Sequence, residues 1–268
     1  MFINNVIYVF SFIIGTLLGS FCTLAVYRIP LGQDITHKRS YCPNCKHRLE
    51  MLDLIPILSY LFLKGKCKYC GQKVRIRYLL LEVLFGLTYM LFIISLHLDV
   101  TYLSIDNLIY ILFATLFLVS LFLIAGIDKE KKEINKPVLI FGIISSICYI
   151  VYLYIIQANV YRYAIYLILL ITIISIEYIK EKEGSKNFYI LELITLMLYI
   201  LSFTSEISLL FTILLTIVII IIKVCFSKDK KQTIFDLKIG YYICISNIVC
   251  LIIQNYLLNW DVIAWLIK

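Results

Sequence analysis

Charge is what this sequence has least of. Only 16% of its 268 residues are charged, against 62% hydrophobic, which excludes an ordinary soluble domain and places the chain among integral membrane proteins. Basic residues are missing from the N-terminal flank MFINN, so the first apolar run lacks the form of a cleaved signal peptide and is expected to stay as an anchor. No glycine-rich loop opening a helix after a strand is present, so no cofactor-binding residue can be assigned. The net charge of +8 needs no nucleic-acid partner, and none is expected, because membrane topology accounts for it.

What the chain has is long apolar runs. About 20 such residues cross the hydrocarbon core as a helix, and about eight spans are expected: Asn5 to Tyr27, Tyr78 to His97, Leu108 to Ile127, Pro137 to Ile156, Tyr163 to Ile179, Phe188 to Phe203, Ile207 to Phe226 and Ile239 to Tyr256. The fold class is therefore an all-α integral membrane protein, ending in a weakly amphipathic tail, LLNWDVIAWLIK. Lys and Arg crowd residues 28 to 77 and then every second loop, in KEKKEINK, KEKEGSK and SKDKKQTIFDLK, while the intervening loops hold only Arg162. Positively charged loops are retained in the cytoplasm. Both termini are thus expected outside and the large polar loops inside.

Cysteines gather in one of those inside loops. Cys42 and Cys45, then Cys67 and Cys70, form two CxxC pairs with a spacing close to that of four-thiolate zinc sites. Cytoplasmic thiols stay reduced, so a structural zinc with a closed ligand shell is expected; redox dithiols or incidental cysteines are the alternative. His37 and His47 flank the pairs as surplus residues. Cys22, Cys148, Cys225, Cys244 and Cys250 fall in spans, where a free thiol behaves as a small hydrophobe.

GTLLGSFCTLAVYRIP (15 to 30) and YCPNCKHRLEMLDLIPILSYLFLKGKCKYCGQKVRIRYLLLEVLFG (41 to 86) resemble the N-terminal part of type IV prepilin peptidases. The likeness rests on Gly19, Ser20, Phe21, Arg28 and Pro30, both cysteine pairs, the DLIPILSYL block, and Arg77, Tyr78 and Glu82. It is tight to about residue 86 and loose beyond. The resemblance implies a multi-pass enzyme of the bacterial plasma (inner) membrane that cleaves the leader of prepilins or pseudopilins at the cytoplasmic face. It further implies N-methylation of the new terminus with S-adenosylmethionine. Residues 1–86 would then be the methyltransferase-associated part with the zinc loop, and 87–268 an aspartyl peptidase-like membrane domain. Arg28 and Glu82 are the polar residues to inspect near a methyl-donor site. Their structural alternatives are snorkelling of Arg28 and pairing of Glu82 with Arg75 or Arg77.

The family is of the GxGD aspartyl protease class, in which one ionised carboxylate takes a proton from water and a protonated neighbour polarises the scissile carbonyl. Asp128, in LIAGIDKEKKEINKP, matches the first aspartate of a motif reading roughly IDxxxxxIP, with Ile134 kept and Asn135 in place of the proline. Otherwise Asp128 opens a solvated loop. The second aspartate, expected near Tyr189, is absent: EKEGSKNFYILEL (181 to 193) offers only Glu183 and Glu192 nearby. Asp236 of FDLKIG is the replacement partner, on a loop returned to the same side by an even number of spans; its alternative is a cap on the last helix. A dyad requires the two carboxylates within about 6 Å. The competing readings are a member without peptidase activity and a non-enzymatic scaffold whose cysteine loop docks a partner.

Overall fold

A segment that leaves water must satisfy every backbone N–H and C=O within itself, and a helix is the local way to do so. The computed structural model describes residues 2–37, 39–42, 44–98, 103–182, 189–226 and 237–257. Its helices are α1 (Phe2–Arg28), α2 (Leu58–Phe62), α3 (Arg77–Ser95), α4 (Ile105–Lys131), α5 (Lys136–Ile155), α6 (Tyr161–Lys182), α7 (Tyr189–Leu201), α8 (Glu206–Phe226) and α9 (Ile239–Leu257). Seven of these are long and apolar enough to cross a membrane, and α7 is a shorter apolar helix. The protein is an all-α integral membrane protein, with no strand among the described residues beyond two isolated bridges. The C-terminal tail after Leu257 lies outside the described residues, as do Glu183 and Asp236.

The chain divides into two units, Met1–Tyr102 and Leu103–Lys268. In the first, α1 lies against α3 across glycines. A Cβ on Gly15 would stand 2.8 Å from that of Tyr89, and one on Gly19 would stand 2.9 Å from that of Phe85. Small residues one turn apart let two backbones approach closely, which is how helices gain contact where lipid removes the hydrophobic drive. Arg28 ends α1 and is buried, donating to the carbonyls of Asp34 (3.1 Å) and Arg39 (3.4 Å). It therefore turns into the following loop and organises it, rather than only snorkelling.

In the second unit α4 packs on α5 and α9, α8 on α9, and α6 on α7. Aromatic rings fill the centre: Phe117 stacks on Phe203 at 4.5 Å, and Tyr149 and Tyr199 close around them. Tyr199 also hydrogen-bonds Ser120, so its hydroxyl is satisfied in the interior. Asn135 caps α5, accepting from the Val138 N–H at 3.3 Å, with Pro137 in the first turn. That capping role suits an Asn where a proline was expected.

Candidate functional site

Two polar constellations stand out, one in each unit. The cysteine loop of the first unit is built from two copies of one backbone knuckle, 25 residues apart. Tyr41 bridges Arg48, and Lys66 bridges Lys73. Within them Cys42 N–H donates to His47 O (3.0 Å) and Cys67 N–H to Gln72 O (2.8 Å), while Lys46 and Gly71 N–H return to Cys42 O and Cys67 O. Each turn needs a left-handed residue after its second cysteine, Lys46 at φ 59° and Gly71 at φ 70°. Glycine takes that conformation freely and lysine at a cost.

The knuckles bring the four thiols of Cys42, Cys45, Cys67 and Cys70 to within 4.8 Å of one another. A zinc ion with bonds of 2.3 Å holds its sulfurs about 3.8 Å apart, and Cys42 and Cys70 already lie 3.9 Å apart. The donor set and spacing thus fit a closed tetrahedral ion. Donated N–H groups favour the thiolate form at part of the cluster: the Gln72 N–H, then the Asn44 side-chain amide, bring the Cys70 thiol down to about 6. The Cys45 N–H does likewise for Cys42, which also falls below the usual thiol range, while burial and the neighbouring thiols push Cys45 up to about 11. His47 stacks on Tyr69 at 3.6 Å and His37 pairs with Asp34 at 3.1 Å, so neither belongs to the ligand set.

Glu82 behaves differently from its expected pairing with arginine. Its carboxylate accepts the backbone N–H of Ile57 at 2.9 Å, tying the DLIPILSYL block to α3.

In the second unit Asp128 is fully buried, and α4 continues past it to Lys131. It does not open a solvated loop. Two donors reach it. The Tyr189 hydroxyl donates to both carboxylate oxygens at 3.0 and 3.1 Å, and the Tyr241 N–H, in the first turn of α9, donates to Oδ2 at 2.8 Å. The Gly240 N–H donates in turn to the Tyr189 hydroxyl at 3.1 Å. A Cβ on Gly240 would stand 3.2 Å from Oδ2, so only a small residue lets α9 come this close. The N-terminus of a helix, with its unpaired N–H groups, is a natural seat for a carboxylate. Nearby, the Lys129 ammonium sits 4.9 Å over the Tyr241 ring, and Lys238 donates to the Lys129 carbonyl.

Tyr189 is the residue that sequence reasoning missed as a participant. Counting spans put the expected second aspartate near it, and what this chain brings to Asp128 from there is a phenol. Glu192, one turn further along α7, is half-buried, and the donors on Asp128 come from Tyr189 and Tyr241. Glu177 is buried and accepts from the Thr195 hydroxyl at 2.6 Å, joining α6 to α7.

The profile of the Bacterial Peptidase A24 N-terminal domain matches residues 13–96. The prepilin leader peptidase/N-methyltransferase of Myxococcus xanthus (strain DK1622) is 43% identical over 81 residues, which is 30% of this chain and 24% of that protein. That of Bacillus subtilis (strain 168) is 52% identical over 67 residues, 25% of this chain and 27% of that one. That of Vibrio cholerae serotype O1 is 37% identical over 81 residues, 27% and 32% of the two chains. The matches thus span only a quarter to a third of these relatives' length. No solved structure matches the chain. The matched stretch holds most of α1, both cysteine knuckles and α3, and over it the N-terminal unit is similar to the A24 N-terminal domain and to the prepilin leader peptidase/N-methyltransferases.

Proposed function

We propose that this protein is a membrane enzyme that processes type IV prepilins or pseudopilins, removing the leader at the cytoplasmic face and N-methylating the new terminus with S-adenosylmethionine. The observation that carries the reading is the match over residues 13–96, where relatives named prepilin leader peptidase/N-methyltransferase reach 52% identity. In this reading Cys42, Cys45, Cys67 and Cys70 hold a structural zinc. The ion supplies no open coordination position; it pins the two knuckles so that a loop too small for its own core keeps one shape. The substrate is a membrane helix with a basic leader. Asp128 is the carboxylate that activates water, and Asp236 is its partner. Residues 1–86 serve methyl transfer and 87–268 serve proteolysis, in the plasma membrane of a bacterium.

A second reading has its own observation. Asp128 is engaged by Tyr189 and the start of α9, and a phenol cannot play the carboxylic acid beside it. The protein would then bind and methylate pilin-like helices without cutting them. Reconstituted full-length chain with a prepilin separates the two: leader loss is read on a gel and methylation by mass. Cleavage abolished by both Asp128→Asn and Asp236→Asn supports the first reading. Methylation without cleavage, with cleavage gained in Tyr189→Asp, supports the second. Neither activity, with intact pilin binding, leaves only a scaffold.

A further inference from the structure

The segment between the two knuckles carries an unusual concentration of uncovered apolar side chains. Met51 is 88% exposed, Leu52 72% and Phe62 81%, with Leu58 and Leu61 also exposed. Leu58, Leu61 and Phe62 are spaced i, i+3, i+4 and so share one face of α2. Water alone is a poor neighbour for such a surface.

Three features state what covers it. The first is depth. The Ile57 N–H is bonded to Glu82, which lies five residues inside the span that begins at Arg77. At 1.5 Å per residue that is about 7.5 Å along α3, within the 5–10 Å to which interfacial helices sink. The second is how this depth is held. Ile57 has φ 63° and ψ −55°, and the Leu58 N–H closes onto Pro56 O at 2.6 Å. This is the rare positive-φ γ-turn, strained for any residue and more so for a β-branched one. The Glu82 carboxylate takes the N–H at its centre, so the strained turn is fastened to a membrane helix at a chosen level. The middle of α2 is fastened too, by the Tyr60 hydroxyl on Val74 O at 3.3 Å. The third is charge. Lys46, Lys64, Lys66, Lys68, Lys73 and Arg75 surround the segment in sequence, as expected for a surface that meets anionic headgroups.

We propose that Met51–Phe62 is a lipid-inserting wedge, fastened through Glu82 at the headgroup level, and that its partner is the anionic surface of the bilayer that α1 and α3 cross. The wedge explains why an ionisable residue stands inside α3: it is the fastening point, not an arginine partner.

The test uses the full chain in nanodiscs. Trp260→Phe and Trp265→Phe remove the native tryptophans, and Phe62→Trp or Leu52→Trp places one reporter on the wedge. Gln72→Trp, on the second knuckle, is the water-facing control. With acyl chains brominated in a phosphatidylglycerol-containing bilayer, the wedge reporters should emit in the blue and lose most of their intensity, while the control keeps its own. Quenching should weaken in pure phosphatidylcholine. It should fall in Glu82→Ala and survive in Glu82→Gln, whose amide oxygen can still accept the Ile57 N–H. Red, unquenched emission from Phe62→Trp would show a segment in water. Blue, unquenched emission would show a protein cover in place of lipid. Either result overturns the proposal, and quenching indifferent to Glu82→Ala overturns the fastening.

Discussion

A carboxylate with no exposure has to find its donors inside the bundle, and Asp128 finds a phenol and a peptide N–H. Removing one of them leaves a buried acceptor short of a partner, which costs more than the bond itself is worth. Tyr189→Phe is therefore expected to lower stability by about 1–2 kcal/mol, read as a fall in the unfolding midpoint in detergent. Asp128→Asn turns one oxygen into an N–H facing the Tyr241 N–H, with a loss of similar size. The double variant should lose less than the sum, because the two residues share one contact. Strict additivity would mean that the hydroxyl and the carboxylate do not support each other. The sequence made Asp128 visible because LIAGIDKEKKEINKP resembles the motif that carries the first aspartate of the prepilin peptidases. It hid Tyr189, since a tyrosine at a span's edge is common and says nothing of what its hydroxyl meets.

At the scale of the element, the two CxxC motifs were legible and their shared backbone was not. Side chains announced the ligands, but the knuckles are made by N–H groups and by left-handed turns, and only one of the two turns carries the glycine that advertises it. Gly71→Ala should cost about 1 kcal/mol at φ 70°, a roughly fivefold loss of metal to a competing chromophoric chelator. Lys46→Gly should move retention the other way by a similar factor, since it removes the same strain. One zinc per chain by elemental analysis, lost in Cys42→Ser or Cys70→Ser, is expected alongside. The α1–α3 seam was similarly half-visible, because the glycines could be seen but not the backbone they admit. Gly19→Leu would drive a branched side chain into Phe85 and Glu82, costing about 1–3 kcal/mol by overpacking, measured as faster proteolysis of the cysteine loop.

At the scale of the whole molecule, the spans were legible because length and hydropathy are what the bilayer selects. The exceptions are the ends of α4 and α6, whose last residues read as loop in their charged letters and are helix in space. The short α7 decides whether the chain crosses eight times or seven. Its first residue, Tyr189, bonds Asp128 near the end of α4, and just past its last turn Phe203 stacks on Phe117 and lies 6.0 Å from Tyr110. From Asp128 to Tyr110 is about 27 Å along α4 at 1.5 Å per residue, close to the ~30 Å of a hydrocarbon core. The stretch from Tyr189 to Phe203 itself rises about 21 Å, and its contacts follow α4 through much of that depth, so α7 is expected to cross despite its length. Parity then sets the sides. A reporter inserted after Glu133 should read cytoplasmic, one after Asn159 external, and one after Thr204 external again, by enzyme activity or fluorescence confined to one compartment. A cytoplasmic signal after Thr204 would mean that α7 turns back and the chain crosses seven times. An external signal after Glu133 would invert the orientation that the lysine-rich loops predict.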